Sequence, residues 1–167
     1  NPSTPLRTGV SKDAKFELAL GLEKEARAFD PRITRVRDAG YYEKVRKVTL
    51  ANSRGLSCAF DQTRHEISLM VVAEEKGDQQ MAWEDDFSIH FGDLNPAKVA
   101  HQAAEKAVSL LGAAPIATQR TSAVLDPVVA TSFLGVLSSS FLGDQVQKNR
   151  SALAERLGEA IYAKEIE

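Results

Sequence analysis

EISLMVVAEEKGDQQMAWEDDFSIHF, residues 66–91, is the stretch whose pattern decides the fold. Glu66–Val72 reads as a strand, and Glu74-Glu75-Lys76-Gly77-Asp78 as a polar hairpin turn. Beyond the turn, Met81, Trp83, Phe87, Ile89 and Phe91 fall on one face of a second strand. Gln80, Glu84, Asp86, Ser88 and His90 fall on the other. Alternation of this kind predicts an antiparallel sheet whose apolar face is buried and whose polar face meets water.

Upstream, Leu56, Cys58 and Phe60 continue the alternation, and Ser53-Arg54-Gly55 is a turn signal. Ile33–Asp38 and Tyr42–Asn52 are two strand candidates separated by Ala39-Gly40. Consecutive strands with short turns make a meander. Ahead of them, Ser11 is placed to cap a helix with Asp13 in its first turn, and Leu18, Leu22, Ala26 and Phe29 form its apolar stripe. Asp30-Pro31 stops it. Downstream, Asn95-Pro96 opens a helix through Val99, Ala103, Ala107 and Leu110 to Gly112. After the unpatterned Ala113–Thr121, Ser122–Leu125 reads as a short strand and Pro127–Leu142 as an apolar helix. The polar Gly143–Arg150 then leads into a helical segment, Ala152–Ala163. The fold class is α+β.

Composition narrows the function. The 167 residues are 43% hydrophobic and 26% charged, as in a soluble globular protein. A net charge of -2 gives no general attraction to nucleic acid or anionic membranes. No apolar run reaches the roughly 18 residues of a spanning helix, since Asp126-Pro127 and serines interrupt the longest one. The start, Asn1-Pro2-Ser3-Thr4-Pro5, has no secretory pattern and suggests a linker or a cut chain. Cys58 is the single cysteine, which fits a reducing cytoplasm and excludes an internal disulfide.

No catalytic constellation emerges. His65-Glu66 is half of a zinc-helix pattern, but Leu69 and Met70 stand where the second histidine belongs, and the local period is that of a strand. His65 and His90 are expected on a solvated strand face, and His101 on a solvated helix face. Cys58, between Leu56 and Phe60, is expected as a small buried hydrophobe. Strand alternation separates Asp85 from Glu84 and Asp86, so the three do not form one cation site. Ser138-Ser139-Ser140 lacks the context of a nucleophile elbow. The Gly-Lys-Ser/Thr end of a phosphate loop is absent.

Three runs in this sequence together resemble the PmbA/TldE family. They are Ala51-Asn52-Ser53-Arg54-Gly55-Leu56 followed by Thr63-Arg64-His65, then Val72-Ala73-Glu74-Glu75-Lys76-Gly77-Asp78, and finally Val124-Leu125-Asp126-Pro127. The last run continues through Leu134-Gly135, Gly143-Asp144 and Ser151-Ala152-Leu153-Ala154-Glu155-Arg156-Leu157-Gly158. The resemblance covers nearly the whole chain and implies a central fragment of a longer protein. Residues 1–114 would be the later part of an N-terminal α/β domain and 115–121 a linker. Residues 122–167 would be the strand-helix start of a second, β-rich C-terminal domain. TldD-type relatives carry His-Glu-x-x-x-His in the helix after the Ser122–Leu125 strand. Laid back from Gly143-Asp144, those ligands fall near Leu134, Gly135 and Ser139. The resemblance therefore implies a metal-free subunit, with no catalytic, cofactor or metal residues of its own. Its expected partner is a TldD-type protease subunit that holds the metal, and its expected substrates are unfolded or extended peptides, as in peptide-antibiotic maturation and antitoxin turnover. The charge and the short apolar runs give no support for direct contact with nucleic acid or membrane. The alternative is a stand-alone peptide- or protein-binding regulator of a toxin or DNA gyrase system, without proteolysis.

Overall fold

The computed structural model describes residues 9–163. Helix α1 (Lys12–Phe29) begins where Ser11 accepts a hydrogen bond from the Ala14 amide, and ends at the extended Asp30. Strands β1 (Ile33–Ala51), β2 (Ser57–Glu75) and β3 (Asp78–Ser88) form one antiparallel sheet in the order β1-β2-β3. A 3-10 turn at Phe91–Asp93 leads to α2 (Pro96–Ser109), whose first turn is capped by the Asn95 side chain on the Lys98 amide. The meander and its α+β class follow the sequence pattern. The β2–β3 turn explains itself: Lys76 and Gly77 have φ of 52° and 87°, the left-handed pair that a two-residue hairpin loop requires.

Two strands prove longer than their sequence signals. Ala39-Gly40 does not divide β1, because both residues stay paired, with Leu69 and Ser68. Gly40 instead makes room for Tyr42, whose ring would lie 2.8 Å from a Cβ at that position. Likewise Ser57–Phe60 and Glu66–Val72 belong to one 19-residue strand, β2.

The core lies between one face of the sheet and the two helices. Ile67, Leu69, Val71 and Ala73 of β2 meet Leu22 and Ala26 of α1 and Val99, Ala100, Ala103, Ala104 and Ala107 of α2. The alanine stripe lets α2 approach the sheet closely. The covered face of β3 is not the expected one. Met81, Trp83 and Phe87 are exposed, Trp83 at 57%, while Gln80, Ala82, Glu84, Asp86 and Ser88 lie half-buried on the face that α2 covers. Polar bonds to the α2 segment hold this edge strand in place. Glu84 pairs with Lys106, the Asn95 amide donates to Asp86 at 3.1 Å, and the Gly112 amide donates to Asp78 at 2.7 Å. Gly112, at φ 74°, takes the left-handed conformation that ends the helical run.

The chain divides into two compact units, the first running to Pro115 and the second from Ile116. In the second, Asp126 caps α3 (Pro127–Ser138) by accepting from the Val128 amide. A 3-10 turn (Ser139–Phe141) and a short α4 (Gly143–Gln147) follow. The expected Ser122–Leu125 strand is irregular; no other strand of this unit is present among the described residues to supply a ladder. Ala152–Ala163 forms turns rather than a helix. Gly158 there takes φ 86°, and a short helix with few packed neighbours does not sustain its own nucleus. No residue of α3 is buried.

Candidate functional site

The three histidines lie in three separate settings. His65 corrects the expected surface residue: it is 3% exposed, on the β2 face that carries Ile67, Leu69 and Val71. Its Nδ1 is 2.6 Å from the Tyr41 hydroxyl, which is 2.9 Å from Glu43 Oε2, itself 2.8 Å from Lys15 Nζ. A carboxylate only accepts, so the single Tyr41 proton goes to Glu43. The hydroxyl oxygen then accepts from His65 Nδ1–H, which fixes the tautomer. Phe91 closes the cluster edge-on to both rings. Burial, and then the bond to Glu43, push the Tyr41 hydroxyl well above the usual phenol range. The alternation His65, Ile67, Leu69, Val71 carried the signal for this placement.

His90 is exposed, as expected, and so is His101, which lies 3.8 Å from Glu25 and beside the Phe29 ring. Cys58 is exposed rather than buried, because β2 at that point has run past both helices and β3. Glu66 points to the open face of the sheet, where it pairs with Arg64. Asp85 lies on that face too, opposite Ser68; burial, and then Glu66 and Glu84, raise its carboxyl above the usual range. Ser138 and Ser139 donate to the Gly135 and Val136 carbonyls, as helix-end serines do. Leu134, Gly135 and Ser139 are exposed on and just after α3. Leucine and glycine bring no donor atom and serine only a weakly ligating hydroxyl, so this trio does not suit a divalent metal. Among the described residues no three His, Cys, Asp or Glu side chains are grouped to hold a metal ion.

One feature escaped the sequence reading. β3 pairs with β2 only from His65 onward, while β1 and β2 stay paired out to Ala51 and Ser57. The two strands therefore project as a ribbon beyond the sheet. Its turn is held by Asn52 Oδ1, which accepts from the Arg54 and Leu56 amides at 2.9 and 3.1 Å. On one face, Lys44 stands opposite Arg64, Arg46 opposite Gln62, Val48 opposite Phe60 and Leu50 opposite Cys58. The first four line a recess of about 210 Å³. Arg64 also lies 3.8 Å over the Phe87 ring, so this face runs on into the open face of the sheet.

The geometry defines a three-stranded antiparallel domain, covered by helices on one face and extended by a two-stranded arm. Residues 7–111 match the model of the PmbA/TldA metallopeptidase central domain, and residues 118–167 that of the PmbA/TldA metallopeptidase C-terminal domain. The chain belongs to the PmbA/TldD family. It is 29% identical over 153 residues to the metalloprotease PmbA of Escherichia coli O157:H7, covering 91% of this chain and 34% of that protein. A PmbA homologue from Buchnera aphidicola (subspecies Baizongia pistaciae) is 29% identical over 148 residues, covering 88% of this chain and 33% of that one. The chain thus spans about a third of the length of these relatives.

Two solved structures share the fold. A candidate modulator of DNA gyrase from Bacteroides thetaiotaomicron superposes with a TM-score of 0.84 at 21% identity, over 98% of this chain and 39% of that one. A second, from Thermotoga maritima, gives 0.74 at 24% identity, over 95% and 37%. No helix among the described residues is long and apolar enough to cross a membrane.

Proposed function

We propose that this chain belongs to the metal-free, non-catalytic subunit of a TldD–TldE-type heterodimeric metalloprotease that works in the cytoplasm on unfolded or extended peptides. The observation that carries the reading is the trio Leu134, Gly135 and Ser139. By the family resemblance these residues stand near the place of the His-Glu-x-x-x-His of a TldD-type helix, and none of them is a competent zinc ligand. Membership in a family of metallopeptidases supplies the context. A subunit lacking the ligands serves such an enzyme by completing its assembly or by presenting the peptide, and the partner provides the metal-activated water.

Co-expression with a TldD-type protein tests this directly. The expected result is a stable complex by light scattering, together with cleavage of an unfolded peptide that stops when either subunit is omitted. Zinc-dependent cleavage by this subunit alone would overturn the reading. A TldD-type partner that cleaves equally well without this subunit would favour a regulator of a toxin or gyrase system that takes no part in proteolysis.

A further inference from the structure

We propose that the projecting ribbon is a docking arm for an extended polypeptide segment whose residues are acidic at one end and apolar at the other. This rests on the peptide-handling reading above and narrows its substrate class.

The charge distribution comes first. Residues 44–64 hold five cations, Lys44, Arg46, Lys47, Arg54 and Arg64, against the one carboxylate of Asp61, in a chain of net charge -2. Lys44 and Arg64 stand directly opposite one another across the ladder, with Arg46 one step further along the same face. Like charges facing each other across two strands repel. Only Arg64 has a carboxylate partner, Glu66 at 2.9 Å; among the described residues Lys44 and Arg46 have none. An acidic ligand relieves that repulsion.

The same face then turns apolar. Val48, Leu50, Cys58 and Phe60 follow the basic belt, with Leu50 51% and Phe60 52% exposed. From the Lys44–Arg64 pair to the Leu50–Cys58 pair is six residues, roughly 20 Å of strand. Six or seven extended residues cover that distance.

The backbone offers the third element. Among the described residues no third strand lies beside β2 along Ser57–Arg64, and β3 stops at Ser88, opposite His65. The Thr63 hydroxyl meets the Ile89 carbonyl at 3.0 Å, marking where the chain after β3 leaves the sheet. An incoming extended segment fits this edge as a third strand in line with β3, the geometry of strand addition. A bare two-stranded ribbon is marginal in water, so a third strand also stabilises the arm. A nucleic acid duplex would satisfy the cations but leave the Val48, Leu50 and Phe60 end without a counterpart, which is why a polypeptide is the favoured ligand.

The test uses the whole chain and a fluorescein-labelled eight-residue peptide, with glutamates in one half and leucines in the other, read by anisotropy. Saturable binding is expected, weakened about ten-fold for each charge reversed in Lys44→Glu and Arg46→Glu. A peptide with lysine in place of glutamate is expected not to bind. Unchanged circular dichroism of the variants shows that the ribbon substitutions leave the fold intact. Absence of binding to the unaltered chain overturns the proposal, as does equal affinity of the variants. Tighter binding to a 20-base-pair DNA duplex, lost with the same substitutions, overturns it in favour of a nucleic-acid arm. If the subunit assembles into an active protease and no peptide docks here, this inference falls and the proposed function stands. Peptide binding without assembly would reverse that.

Discussion

Tyr41→Phe removes one oxygen from the buried end of the sheet, and its cost follows from what that oxygen holds. The hydroxyl accepts from His65 Nδ1 at 2.6 Å and donates to Glu43 at 2.9 Å. Glu43 keeps its ion pair with Lys15 at 2.8 Å, so no charge is abandoned. His65, only 3% exposed, is left with a proton to donate, and Glu43 is still 3.9 Å away. A net hydrogen bond is worth about 1 kcal/mol and an orphaned buried donor costs about 1–3 kcal/mol. Partial collapse of Glu43 toward His65 offsets some of this, leaving an expected loss of about 2 kcal/mol.

His65→Leu alone should cost about 1 kcal/mol, because Tyr41 still has Glu43 to donate to. The double variant removes the orphan together with its partner, so its loss should fall about 1 kcal/mol short of the sum. Urea unfolding followed through Trp83, the one tryptophan in the chain, measures all four forms. Additivity within about 0.3 kcal/mol, or a Tyr41→Phe cost of only a few tenths, would refute the coupling. The same site sets an alkaline limit. Tyr41's pKa is raised in the fold, so its contribution to stability is complete below the unfolded value near 10 and is lost as pH climbs toward the folded one. Tyr41→Phe should flatten the fall in stability above pH ~10.

Asp30, gripped by the Arg32 guanidinium at 2.8 and 3.0 Å and by the Arg32 amide at 2.8 Å, should titrate at about 2 by carbon-detected NMR; Arg32→Ala should return it toward 3.8. The stabilisation it provides is present above 3.8 and disappears as pH falls through about 2. Gly77→Ala places a Cβ at φ 87° in the β2–β3 turn and should destabilise by about 1 kcal/mol in the same urea assay, whereas Gly21→Ala, inside α1 with open space around it, should be stabilising. Leu69→Ala, at 1% exposure between sheet and helices, should cost about 2–5 kcal/mol, and a smaller effect would mean the core closes over the gap.

What was legible in the sequence is mostly local chemistry. Ser11, Asn95-Pro96 and Lys76-Gly77 each act through neighbours within a few residues, and each capped or turned the chain as its type dictates. Strand length was less legible, because Ala39-Gly40 looks like a break until the partner residues Leu69 and Ser68 are known. The second unit shows the same limit: Val124 and Leu125 have strand-like side chains, but a strand exists only where another supplies the ladder. Of the site, the lack of metal donors at Leu134, Gly135 and Ser139 needs no structure to read. The ribbon does, since its exposure depends on where β3 and the helices stop.

The inverted face of β3 shows why the rest was hidden. A period of two assigns residues 80–88 to two faces, but it is symmetric between them and does not say which one is covered. Hydrophobicity favours burying Met81, Trp83 and Phe87. Register decides otherwise, because β2 must turn Ile67, Leu69 and Val71 toward the helices, and their partners Asp86, Glu84 and Ala82 go with them. The polar residues are accommodated because α2 brings matching groups: the Asn95 amide to Asp86, Lys106 to Glu84 and the Gly112 amide to Asp78. One strand's stronger pattern thus yields to the central strand's continuous one. The displaced apolar residues gather on the open face, beside Arg64, where the basic ribbon begins. Exposed aromatic rings thus stand next to the Arg64 guanidinium, with Lys44 and Arg46 beyond it on the ribbon, and this juxtaposition follows from the same register that built the core.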